Sequence, residues 1–171
     1  FMRKRWMGAA GVAAGAGGGG AYRLGSSAGE ELRGVRTVYV PVVKNETYEP
    51  NISVMVTDAI IQQFHRDGTL RVVREAGADS TLDVKLVEFD RRPQRSGRRD
   101  TRVTSEYRVE LKAEATFKRR GEAEPIFKGR RFTGETEFFI GQDLQEAERQ
   151  SMGLLAEDLA RQIVSEVTEG W

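Results

Sequence analysis

The chain has 171 residues, enough for one domain of ordinary size and too few for two. Its 39% apolar residues can build a core, and 27 Lys and Arg against 26 Asp and Glu leave a net charge of +1, which argues against a cationic nucleic-acid binder. With no cysteine and one histidine, His65, disulfides, iron–sulfur clusters, Cys-based zinc sites, thiol catalysis and His-rich metal sites are excluded.

Ten of the 19 glycines lie between Gly8 and Gly34, so the N-terminal fifth stands apart in composition. Arg3, Lys4 and Arg5 precede a small-residue run from Met7 to Ala16 and then Gly17 to Gly20. A basic start, a mildly apolar stretch and Ala14-Gly15-Ala16 have the layout of a secretory signal with a small-residue cleavage site, although Leu, Ile and Phe are scarce in it. The other reading is a flexible Gly/Ala tail. Nothing in it approaches the ~20 apolar residues of a membrane-spanning helix. The expected division is a signal-like or flexible segment, 1–20, and a single domain, 21–171.

From Thr37 to Val43 the residues are β-branched and aromatic and predict a strand, with Pro41 marking an edge, a bulge or an end. Lys44 to Pro50 reads as a polar loop. Asn51 then serves as the N-cap of a helix with Ile52, Val56, Ala59, Ile60 and Phe64 on one face, stopped by Gly68. Leu70 to Val73 predicts a short strand and Arg74 to Asp79 a turn. Leu82, Val84 and Leu86 alternate with Asp83 and Lys85, as in a half-buried strand. The alternation is longest from Val103 to Phe117, where Tyr107, Val109, Leu111, Ala113 and Ala115 interleave with Arg108, Glu110, Lys112 and Glu114. One face of such a strand meets water, as in antiparallel sheets. Gly121 and Pro125 mark a connection into a further extended run, Ile126 to Phe139. A last helix opens near Asp143 with Glu146, a start resembling a capping box. It carries Met152, Leu155, Leu159, Ile163 and Val167 at helical spacing, with Ala156 and Ala160 beside them and Gly153 inside the pattern. Two helices with one apolar stripe each can cover one sheet face. The expected fold is therefore α+β, a two-layer sandwich of four to five strands in a mixed or antiparallel sheet with two helices on one face.

Few residues carry recognisable chemistry. His65 has no evident base or ligand partner and reads as a helix-end histidine. Pairs such as Glu49 with Asp58, or Glu135 with Glu137, arise by chance at this charge density. Gly17 to Gly20 lacks the strand and the Lys-Ser/Thr of a phosphate loop. Asn45-Glu46-Thr47 matches a glycosylation sequon, a short and common pattern. Phe132, Phe138 and Phe139 read as core residues, with an exposed docking patch as the alternative. One segment departs from the balanced charge: Arg91, Arg92, Arg95, Arg98, Arg99 and Arg102, opposed by Asp100, with Pro93 and Gly97 predicting a loop. Guanidinium forks suit phosphate and carboxylate. Arg91, Arg92, Arg95, Arg98 and Arg99 are thus candidates for a contact with phosphorylated lipid, nucleic acid or an acidic protein surface, the alternative being a solvated connection.

Ala21-Tyr22-Arg23-Leu24-Gly25 begins a resemblance that runs through most of the chain. It continues in Val38-Tyr39-Val40-Pro41, Asn45, Thr47 to Asn51, Thr57 to Ile60, Phe64 to Val73, Ala78-Asp79, Gly134 to Phe139 and Ala156 to Ala160. In order and spacing these segments resemble the LptE family of lipopolysaccharide-assembly lipoproteins. The resemblance implies a small sheet with two helices on one face and a place at the periplasmic face of the outer membrane. It also implies two partners, a large barrel of the LptD type, which the family plugs and supports, and lipopolysaccharide. It implies no enzyme activity, cofactor, metal or nucleic acid. Where the family carries its lipidated cysteine, two residues before Tyr22, this chain has Gly20. Without a thiol no thioether to diacylglycerol forms, so the chain as written is expected to carry no lipid anchor. Two rival readings stand beside this one: an interaction module of another envelope complex, and a nucleic-acid-binding domain using the arginine segment with Tyr107 or Tyr39 for stacking.

Overall fold

A computed structural model describes residues 32–94, 105–140 and 144–169. The elements are β1 (Thr37–Tyr39), β2 (Lys44–Asn45), α1 (Ile52–Asp67), β3 (Arg71–Val72), a 3-10 turn at Glu75–Gly77, β4 (Ser80–Gln94), β5 (Ser105–Arg119), β6 (Phe127–Ile140) and α2 (Leu144–Glu169). The sheet has six strands in the order β3-β1-β4-β5-β6, with β2 also paired to β4. The sequence led us to expect four to five. The sixth is β2, in a segment that read as loop. Pro41 interrupts the ladder after Tyr39, and the chain regains the same edge of β4 only at Lys44, opposite Lys85.

The sheet is mixed. β1 lies parallel to both β3 and β4, and β2 is parallel to β4, whereas β4, β5 and β6 form a long antiparallel meander. Parallel pairing of β1 with β3 requires a crossover, which α1 supplies. Ile52, Val56, Ala59, Ile60 and Phe64 are buried, as their spacing predicts. Gly68 ends α1 in the left-handed region at φ 77°, its N–H donating to the Phe64 carbonyl at 2.9 Å. At the other end Asn51 takes φ 62° and its side chain makes no capping bond. The boundary agrees with the sequence, but Asn51 marks it as a left-handed turn residue rather than as a side-chain cap.

Both helices cover one face of the sheet. The core joins Leu82, Leu86, Leu111, Ala113 and Phe117 from the strands to Ile60 and Phe64 of α1 and to Leu155, Leu159 and Ile163 of α2. Phe132 and Phe138 belong to it, while Phe139 points to the other face and is 58% exposed. The approach of α2 to β6 is closest at Gly134, where a Cβ would lie 2.9 Å from that of Leu159 and 3.0 Å from the Leu155 carbonyl oxygen. This contact brings two α2 side chains over the edge of the sheet. Asp158 Oδ2 accepts the Glu135 N–H at 3.1 Å, and Gln162 Nε2 donates to the Thr133 carbonyl at 2.9 Å. Two backbone groups of edge strand β6 are thereby occupied, which limits pairing with another chain. At the opposite end of the sheet, Asp79 Oδ2 accepts the N–H groups of Arg36 and Thr37 at 3.0 and 3.1 Å, tying the start of β1 to the start of β4.

Candidate functional site

The arginine segment begins on the last residues of β4. A β-bulge between Leu86 and Glu88 inserts Val87 and resets the alternation. Beyond it Phe89 and Arg91 turn toward the helices, while Glu88, Asp90 and Arg92 turn to the open face. Arg91 and Arg92 therefore lie on a strand, paired in register with Val109 and Arg108, and not in a loop as the sequence led us to expect. Arg91 forms an ion pair with Glu148 near the start of α2. Arg92 places Nε 2.7 Å and a terminal nitrogen 2.6 Å from Asp90 Oδ2. The hydrogen bond to Asp90 raises the Arg92 pKa above its ordinary value. The two arginines thus point to opposite faces, each with a carboxylate that an incoming anion would have to displace. Arg95, Arg98, Arg99 and Arg102 lie outside the described residues, as do Gly20, Val103 and Asp143.

The open face is a lattice of cross-strand ion pairs. Lys85 lies between Glu46 (3.7 Å) and Glu114 (3.4 Å), Lys112 meets Glu88 at 3.0 Å, and Lys118 meets Asp83 at 3.9 Å. Arg108 donates to Glu137 Oε1 through Nε at 3.1 Å and a terminal nitrogen at 2.7 Å, and this bond raises its pKa. Glu137 is thus committed to Arg108 rather than paired with Glu135. A row of three carboxylates, Asp90, Glu110 and Glu135, crosses the sheet in register between these cations. A cavity of about 300 Å³ opens on this face, lined by Val42, Lys44, Asp83, Lys85, Glu114 and Lys128 among others.

His65 is exposed near the end of α1. Among the described residues no three His, Asp or Glu side chains are grouped to hold a metal ion, and no helix is long and apolar enough to cross a membrane. Tyr107 stacks on Phe138, with ring centroids 5.6 Å apart and planes 17° from parallel, so that this ring face is engaged inside the protein. Sequence reasoning placed a polar loop over Lys44 to Pro50 but missed that the Asn45 side chain organises the turn into α1. The available signal was Asn-x-Thr followed by Pro50, a pattern typical of turns closed by side-chain oxygens. Asn45 Nδ2 of the sequon match donates to the Glu49 carbonyl at 2.8 Å.

Solved structures that share this fold include these three. A minor lipoprotein of Acinetobacter baumannii aligns with a TM-score of 0.53 at 13% identity, covering 80% of this chain and 94% of that one. A Xanthomonas campestris protein gives a TM-score of 0.54 at 14% identity over 79% and 85% of the two chains. A Chlamydia trachomatis protein gives 0.53 at 10% identity over 78% and 96%. At such identities the likeness is one of fold. No curated protein sequence matches the chain. The LptE lipopolysaccharide-assembly model matches residues 35–167, from just before β1 to the last turn of α2. The chain belongs to the LptE family.

Proposed function

We propose that this protein is a non-enzymatic component of lipopolysaccharide assembly that binds, plugs and supports an outer-membrane barrel of the LptD type from the periplasmic side. The observation that carries this reading is the family match over residues 35–167, from before β1 into the last turn of α2. The surfaces are consistent with it. One sheet face is consumed by the helices, and the other is a charged, solvated surface with many cross-strand ion pairs. The arginine segment then serves as the anion contact. Arg91, Arg92, Arg95, Arg98 and Arg99 meet phosphates of lipopolysaccharide or acidic groups of the barrel, Arg91 and Arg92 by exchanging Glu148 and Asp90 for the incoming anion. Guanidinium groups lose little on such an exchange because both partners are oxyanions.

The test is affinity isolation of the tagged chain from envelopes that also contain its barrel partner. A stoichiometric complex is expected, and failure to retain the barrel under mild detergent would sink the reading. A variant with the five arginines changed to Gln should bind lipopolysaccharide at least tenfold more weakly at low salt, about 1.4 kcal/mol. Parent-like binding by that variant would reduce the segment to a connection.

A further inference from the structure

The turn between β2 and α1 is built to hold one aromatic ring away from the protein. Tyr48 is fully exposed and takes no part in the core. Its loop is nevertheless tied down on every side. The Thr47 N–H and hydroxyl both donate to Asn45 Oδ1, at 2.9 and 2.7 Å, and the Glu49 N–H donates to Thr47 Oγ1 at 3.3 Å. Asn45 Nδ2 closes the turn on the Glu49 carbonyl. The Glu46 N–H donates to the Leu86 carbonyl of β4 at 2.9 Å, and the Val43 N–H donates to Thr57 Oγ1 of α1 at 3.0 Å. The folded protein gains little from presenting a tyrosine in this way. A binding surface does gain, because a tyrosine has few torsions to lose and a pre-ordered loop pays its entropy before the encounter.

The surroundings point the same way. Five large apolar side chains are exposed among the described residues, and three of them, Val42, Tyr48 and Val54, fall between Val42 and Val54. Glu46 and Glu49 stand on either side of Tyr48 in the chain, and the exposed Asp58 lies one helical turn beyond Val54. Lys85 is shared between Glu46 and Glu114, so these four carboxylates outnumber Lys44 and Lys85 and the rim is net negative. An acidic rim is repelled by an anionic lipid surface and by the same rim of a second copy. It complements a protein pocket edged with Lys or Arg. We propose that the Asn45–Asn51 loop is a docking element that seats Tyr48 in a basic-rimmed pocket of the barrel partner. This rests on the function proposed above and adds the contact.

The experiment uses the full chain and the purified barrel in detergent and measures association and dissociation rates. Tyr48→Ala should weaken binding at least tenfold, chiefly through faster dissociation, with an unchanged melting temperature because the ring touches nothing in the fold. Asn45→Ala, which leaves the ring but unties the turn, should lose about threefold. Glu46→Lys with Glu49→Lys should slow association at low salt. A photo-crosslinker at position 48 should join the barrel. If the parent binds and Tyr48→Ala binds within twofold of it, the docking proposal fails and the family function stands. If the crosslinker captures only lipid or another copy of this chain, the proposal also fails. If the parent itself does not bind the barrel, the broader reading falls, and this one with it.

Discussion

β5 shows two environments on one strand. Toward the helices it presents Val109, Leu111, Ala113, Ala115 and Phe117, all buried, and toward solvent Arg108, Glu110, Lys112, Glu114 and Thr116. The backbone ladder is common to both faces, so their difference is one of side chains alone. On the covered face each side chain leaves water for a packed apolar neighbour, at roughly 25 cal/mol per Å² of area removed. On the open face ion pairs form in high dielectric and each contributes about 0–1 kcal/mol. The covered face therefore holds the fold together, and the open face is free to change with its partner at little cost to stability.

The largest expected effect lies where the helices press on the sheet. Ile60→Ala or Leu159→Ala should each cost about 2–5 kcal/mol in urea unfolding, the range for a buried large aliphatic side chain. A loss close to zero at either site would mean that the helix covers nothing there. The next effect tests the fit rather than the area. Gly134→Ala adds a methyl group where Leu159 and the Leu155 carbonyl already stand, and should cost about 1–3 kcal/mol. It should also loosen the Asp158 and Gln162 bonds to β6, readable as faster amide exchange at Glu135. A stability equal to the parent's would show that α2 moves away freely.

Changes on the open face should be smaller. Lys112→Gln removes the ion pair with Glu88 and should cost less than about 1 kcal/mol. Glu110→Gln relieves a carboxylate flanked by Asp90 and Glu135 and should be neutral or slightly stabilising. A large loss at either site would erase the contrast between the faces.

The last contrast is read through pH and concerns Asp79. Bonds from the Arg36 backbone, then from Thr37, hold its pKa below the ordinary 3.8. A carboxylate depressed in the folded state adds stability above its unfolded value and loses it as the pH falls through the folded one. The parent should thus lose stability below about pH 4, and Asp79→Asn should flatten that part of the curve. An unchanged acid limb in the variant would remove Asp79 from the acid response.

Much of the fold was legible because one-sided burial writes a period into the chain. The stripes from Ile52 to Phe64 and from Met152 to Val167 placed both helices, and the alternation around Leu111 placed β5. The β4 bulge was not legible. One extra residue at Val87 inverts the facing of everything after it, and only the pairing with β5 reveals it. The arginine segment illustrates the consequence. Its charge was plain in the sequence, but which of Arg91 and Arg92 turns toward the helices depends on that inserted residue. β2 escaped notice for a related reason, since two residues carry no period and pair only because β4 already offers an edge.

By itself the sequence determined most of the residues that leave water, Phe139 excepted, and with them the α+β class, the two helices and the family, because periodicity and order along the chain are local properties. The tertiary structure alone decided the strand order, which of Arg91 and Arg92 turns toward the helices, the closure of the β6 edge by Asp158 and Gln162, and the rigid display of Tyr48. Each of these depends on hydrogen bonds or contacts whose geometry arises only when the chain has folded.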